Sequence, residues 1–158
     1  MAFAGNPILI CQDEAEFVER PEDGSASFKA GELVYTQRSG SPGYLHAVAA
    51  PNSATVKILG QVQTDSTGTS GTKHKVQLIT PETDIEIVTS AIMTQAYEGM
   101  IYENIVATAN VHTLNLSGNS YPTYYVKRAL RVNPDRVNSA FDTRAVVRVL
   151  AACIEGLV

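Results

Sequence analysis

The run Ala54-Thr55-Val56-Lys57-Ile58-Leu59-Gly60-Gln61-Val62-Gln63 sets small and apolar residues at even positions and mostly polar ones at odd positions. Successive side chains of a strand point to opposite faces, so this alternation predicts a strand with one face buried and one wet. Other stretches read the same way. Lys75 to Thr80 turns Val76 and Leu78 inward, and Asp84 to Thr89 turns Ile85 and Ile87 inward. Tyr124 to Val132 places Tyr124, Val126, Leu130 and Val132 on one side, with Arg128 as the exception.

Turn residues separate these runs at short intervals. Ser39-Gly40-Ser41-Pro42-Gly43 divides Glu32–Arg38 from Tyr44–Ala50, and Asp65-Ser66-Thr67-Gly68-Thr69-Ser70-Gly71 reads as the tip of a long hairpin. Pro81-Glu82-Thr83-Asp84 and Ser117-Gly118-Asn119-Ser120 are tighter. Sixteen valines and fourteen threonines add to the bias, because branched side chains lose freedom in a helix and pack well on a pleated surface. The expectation is an all-β single domain, a barrel or a sandwich, with little helix. A short helical turn is expected from Asn133-Pro134-Asp135 to about Phe141. Ala145 to Ile154 is apolar on both faces, and its valines predict a strand buried on both sides, in the core or at a subunit contact.

The chain has 158 residues and 17.0 kDa, which fits one domain able to fold without disulfides or metal. Sixteen acids against twelve bases give a net charge of −4, and a nucleic-acid partner would demand the opposite balance. The cysteines, Cys11 and Cys153, lie outside any metal-binding or redox spacing. They read as small buried hydrophobes, with a bridge between the chain ends as the alternative. The start has no basic stretch leading into an apolar core, and the most apolar segment, Ala145 to Val158, is interrupted by Arg148 and Glu155. A soluble protein made in a cytoplasm is expected, with no membrane partner.

Residues 1–25 differ from the rest, crowding Asp13, Glu14, Glu16, Glu19, Arg20, Glu22 and Asp23 between the breakers Pro7 and Pro21. They read as an extended N-terminal arm, with residues 26–158 as the β-rich domain. Ile8, Leu9, Ile10 and Phe17 are too few to repay the entropy of ordering such a segment. The arm is therefore expected to be mobile or fixed by main-chain pairing with a sheet edge, its own or a neighbour's.

Residues that could carry chemistry are scattered. His46, His74 and His112 have no second ligand at helical or close strand spacing, so no metal site is expected. No activated serine is apparent, and neither a catalytic residue nor a cofactor is expected. Gly68-Thr69-Ser70-Gly71-Thr72-Lys73 has the look of a phosphate loop but lacks the Gly-Lys-Ser/Thr order and the following helix. It is expected to be a solvated tip rather than an anion nest. Carboxylates such as Glu86 fall on outward positions and read as solvated surface. Tyr121, Tyr124 and Tyr125 could form a sugar- or protein-binding patch, although packing is the commoner role.

One ordered set of short motifs carries more information. Ala30-Gly31-Glu32-Leu33-Val34 is followed by a hairpin and the small-residue strand His46-Ala47-Val48-Ala49-Ala50. Then come Ile58-Leu59-Gly60-Gln61-Val62, a Thr/Gly-rich tip, and Val76-Gln77-Leu78-Ile79; later, Glu98-Gly99, a strand ending at Val132-Asn133, and the apolar run Val146 to Ile154. This order, over roughly residues 28–158, resembles the head decoration (cement) proteins of tailed bacteriophages. Gly31 and Gly60 match positions where the chain bends or packs close, and Val34 and Val62 match inward strand positions. The resemblance implies a structural virion protein on the outer capsid surface, a homotrimer at three-fold positions that clamps major capsid subunits after the shell expands. It transfers no chemical residue. The N-terminal segment, with Ile8, Leu9, Ile10, Phe17 and Val18, is compatible with a capsid-gripping arm, and Val147, Val149, Leu150 and Ile154 are expected at the trimer contact. Another virion part, in the tail or at the head–tail junction, and a carbohydrate-binding sandwich are the competing expectations.

Overall fold

A computed structural model describes residues 6–10, 14–37, 42–48, 56–107 and 111–155. The domain is small, single and nearly all β, with a barrel and a second sheet. The strands are β1 (Ile8–Ile10), β2 (Phe17–Pro21), β3 (Leu33–Thr36), β4 (Leu45–Ala47), β5 (Gly60–Val62) and β6 (Lys73–Leu78), followed by β7 (Asp84–Thr89), β8 (Ile101–Ala107), β9 (Val111–Asn115), β10 (Tyr124–Arg131) and β11 (Phe141–Val149).

The barrel runs β7-β11-β10-β8-β9 through antiparallel pairs and closes where β9 meets β7 in parallel, Val88 opposite Thr113 and Thr89 opposite Leu114. Closure leaves the first half of β7 uncovered by β9. There β1 adds itself, with Ile8, Leu9 and Ile10 opposite Glu86, Ile85 and Asp84. The second sheet is antiparallel in the order β2-β6-β5-β3-β4, and a parallel bridge from Glu22 to Leu45 draws its two ends together.

The main core fills the barrel with inward residues of β7, β9, β10 and β11, including Ile85, Ile87, Leu114, Tyr124, Val126 and Val147. Leu33, Val48, Ile58 and Ile79 from the second sheet and its connections join the same cluster. A smaller cluster packs Phe28, Val34, Leu45, Val62 and Val76. Main-chain bonds tie the two halves. Ile58 donates to Cys153 at 2.7 Å, and Glu155 donates back to Ile58 at 2.8 Å. Burying two faces in one continuous cluster is what lets a chain of this size act as a single folding unit.

Several expectations need correction. The run 54–63 forms a strand only at Gly60–Val62; Ile58 makes an isolated bridge, Leu59 is buried despite its odd position, and residues 54 and 55 lie outside the described residues. Residues 134–139 form hairpin turns between β10 and β11 rather than a helical segment. The apolar run 145–154 is strand only to Val149, followed by a one-turn 3-10 helix, Ala151–Cys153. β10 carries an extra residue at Lys127, so Val126 faces Val147 while Arg128 already faces Val146. That bulge shifts the inward phase from Val126 to Ala129 and leaves Val132 64% exposed.

The two glycines picked out by the resemblance have physical reasons. A side chain on Gly60 would lie 2.0 Å from the Gln77 carbonyl oxygen across the β5–β6 ladder, so the strands pack at that point only without a Cβ. Gly31 adopts φ 92°, the left-handed region, as the chain turns into β3. Val34 and Val62 are fully buried, as expected of inward positions.

Candidate functional site

The described residues of the N-terminal segment are built into the domain. Instead of a free arm, it supplies one outer strand to each sheet: β1 lies on β7, and β2 lies on β6 with Phe17 opposite Gln77 and Val18 opposite Val76. The pairing is with the chain's own sheet edges. Main-chain bonds thus supply what too few apolar side chains could not.

A groove of about 440 Å³ lies between the start of β1 and the β5–β6 part of the second sheet. Ile8 and Leu9 both line it. No residue of β7 lines it, which puts it on the side of β1 away from β7. The opposite wall belongs to the second sheet, where Gln61 stands across from Gln77 with Val62 and Gln63 beside them, and Asn6, Pro7, Ala30 and Gly31 complete the lining. The Gln61 amide donates to the carbonyls of Pro7 and Gly31, pinning the start of β1 over the sheet. The lining carries no charged residue and no aromatic ring.

Of the exposed apolar residues of the segment, Ile8 lines this groove, while Ile10 and Phe17 lie outside its lining. Ile8, Ile10 and Phe17 are 42%, 41% and 41% exposed, and the Lys75 ammonium sits 4.3 Å from the centre of the Phe17 ring. Leu9 and Val18 point the other way and pack, half-buried, against the two cores. Of the five residues expected to grip a partner, three are therefore outward and two are structural.

The residues expected at a subunit contact are placed differently. Val147, Val149 and Ile154 are 0%, 2% and 2% exposed and fill the chain's own barrel, and Leu150 packs half-buried against it. Their apolar surface is consumed within one chain and is not available to another. Outward apolar surface on the barrel lies instead at Met100, Ile101, Tyr121 and Tyr125, with Tyr125 directly opposite Ile101 on β10 and β8. Tyr124 is not part of that patch. It is buried, its hydroxyl donates to Asn104 Oδ1 at 2.9 Å, and its pKa is pushed far up by burial.

Compared with known proteins, the chain matches no family model and no curated protein. Its chemistry has to be read from its own residues.

Each histidine meets a carboxylate from a distant part of the chain, which spacing along the sequence could not reveal. His46 lies 4.0 Å from Asp23, His74 3.0 Å from Glu22, and His112 3.8 Å from Glu32. Among the described residues, no group of three His, Cys, Asp or Glu could hold a metal ion. No helix of the described residues is long and apolar enough to cross a membrane. Cys153 is a buried free thiol donating toward the Pro122 carbonyl at 3.3 Å, while Cys11 lies outside the described residues.

The tip between β5 and β6 departs most from expectation. Glu22, one of the crowded acids, is fully buried beneath it. The Thr67 N–H donates to both carboxylate oxygens at 3.0 and 2.9 Å, the Thr69 N–H donates at 2.8 Å, and the Thr67 hydroxyl donates as well. His74 Nε2 approaches at 3.0 Å, while its Nδ1 is 2.7 Å from the Thr64 hydroxyl. Positive φ at Gly68 and Gly71, 77° and 89°, shapes the loop so that its amides converge. Burial raises the Glu22 pKa, but the Thr67 hydroxyl, the two amides and His74 outweigh it and hold the carboxyl below its ordinary value. The tip is exposed from Thr67 to Gly71, as expected, but its amides also form an anion nest, and the anion is the chain's own carboxylate.

Proposed function

We propose that the chain is a structural virion protein that binds the outside of an expanded phage capsid as a trimer and stabilises contacts between major capsid subunits. The observation that carries this reading is the N-terminal segment, which holds Ile8, Ile10 and Phe17 outward on ordered strands, with Ile8 at an uncharged groove. Apolar residues held outward on ordered strands favour a protein partner, and main-chain edges and carboxamides such as Gln61 and Gln77 suit peptide groups. The order of motifs resembling head decoration proteins supplies the identity of that partner. A repeated capsid surface would make weak single contacts sufficient, because three linked copies raise the effective concentration of each other.

With Val147, Val149 and Ile154 committed to the core, the trimer contact falls on the outward patch of Met100, Ile101, Tyr121 and Tyr125. A sugar-binding platform of three neighbouring tyrosines is less well supported, since Tyr124 is fully buried. The test is to mix the purified chain with expanded and unexpanded heads, pellet them and count bound copies. Saturable binding to expanded heads, in multiples of three per three-fold site, is expected. A handful of copies per particle would indicate a tail or head–tail part, and absence of binding to either form would overturn the reading.

A further inference from the structure

The nest around Glu22 is built like a receptor. Its donors come from one continuous stretch, Thr67 to His74, while its anion comes from the end of β2, 45 to 52 positions earlier in the chain. Thr67 N–H lies almost equally far from both oxygens, as suits a planar carboxylate. No lysine or arginine makes a contact to Glu22 among the described residues, which fits one negative charge better than the two of a phosphate. Main-chain bonds extend the seat on either side: Glu22 N–H donates to Thr72 at 2.8 Å and Gly71 N–H donates to Glu22 at 2.9 Å.

We propose that the β5–β6 tip is a carboxylate-binding site, and that Glu22 seated in it is the catch holding β2 on the domain. Apart from the main-chain bridge from Glu22 to Leu45, β2 is an outer strand whose ladder runs to β6, so emptying the site removes a buried side-chain anchor at its C-terminal end. The ligand class is an aliphatic carboxylate, and an extended strand presenting a glutamate is its natural form. The consequence for assembly rests on the reading above, because the strand so held carries the outward Phe17; the site itself does not depend on it.

The test uses the full-length Glu22→Ala chain, with sodium formate as the carboxylate and sodium chloride at equal concentration as the control. Amide exchange at residues 17–20 is expected to rise about ten-fold or more over wild type, since the strand opens locally once its anchor is gone. At about 100 mM, formate should reverse much of that rise and raise the melting temperature, whereas chloride should not, because only a ligand of the folded site stabilises it. Equal behaviour in formate and chloride would overturn the carboxylate site. Faster exchange confined to residues 64–72, with 17–20 unchanged, would overturn the catch. Should Glu22→Ala fail to fold, Thr67→Ala removes the hydroxyl donor and keeps the backbone donors; a smaller rise at 17–20 is then expected, and none would overturn the catch. Head binding is scored separately, so its failure leaves these outcomes readable.

Discussion

His112 is fully buried where β9 meets the second sheet, and its Nε2 accepts the Leu33 N–H at 3.2 Å. The ring proton therefore sits on Nδ1, which has no hydrogen-bond partner among the described residues. Burial lowers its pKa to about 4. Glu32, 3.8 Å away and also buried, is displaced the other way: burial raises its carboxyl against the opposing Lys29 N–H bond. The signs follow from linkage. An imidazole depressed on folding binds its proton more readily in the unfolded chain, so its contribution is complete above about pH 6.5 and is lost as pH falls toward 4. Glu32 acts oppositely, contributing most at low pH and less as pH rises through its folded value. Comparison with His112→Leu isolates the histidine. The variant is expected to be less stable at pH 7, because the Leu33 N–H loses its acceptor, and the gap should narrow by up to about 3 kcal/mol by pH 4. Urea unfolding at several pH values measures it; a gap independent of pH would mean that the His112 pKa does not change on folding.

The behaviour of single elements turns on whether alternation survives along them. β7 was legible because Ile85 and Ile87 alternate with Asp84 and Glu86, and both isoleucines are buried. β10 was legible only to its bulge. Arg128 broke the even-numbered pattern because the extra residue at Lys127 had already shifted the phase, and the visible exception marked the real irregularity. A stability comparison checks this. Val126→Ala removes two methyl groups from the barrel core and is expected to cost about 2 kcal/mol. Val132→Ala, at a position alternation alone would have buried equally, is expected to stay within about 0.5 kcal/mol of wild type. Similar costs at both positions would mean that β10 runs without its bulge. The outward side of the same sheet holds its charges in pairs. Asp84 accepts from Lys127 at 2.7 Å and Arg148 at 2.6 Å, and Arg144 joins Glu86 to Asp142. Val146, facing outward beside them, is only 4% exposed. Long charged side chains can cover an apolar residue in this way while keeping their ends wet.

At the scale of the whole molecule, the class of fold was readable because period-two patterning is local, whereas the site was not, because it joins distant segments. Nothing near Glu22 distinguishes it from Glu19, which is exposed; its burial depends on a loop more than forty positions away. The groove is likewise made by carboxamides whose outward positions looked like ordinary solvated face. The same joining changes what truncation should do. A free arm could be cut away with no effect on the domain, but residues 6–22 supply an outer strand to both sheets and the anion for the nest. Removing residues 1–22 strips β1 from β7 and β2 from β6, and leaves His74 and the Thr67 and Thr69 amides without their carboxylate. A loss of about 3 kcal/mol is expected from emptying the nest alone, or roughly 6–12 °C in Tm for a domain of this size. The shortened chain should still give a β-type circular dichroism spectrum, since the barrel closes through β9 and β7 without the segment. An unchanged Tm would mean that both strands rest passively on their sheets. In that case the ladder, the buried carboxylate and the groove would contribute nothing to holding the domain together.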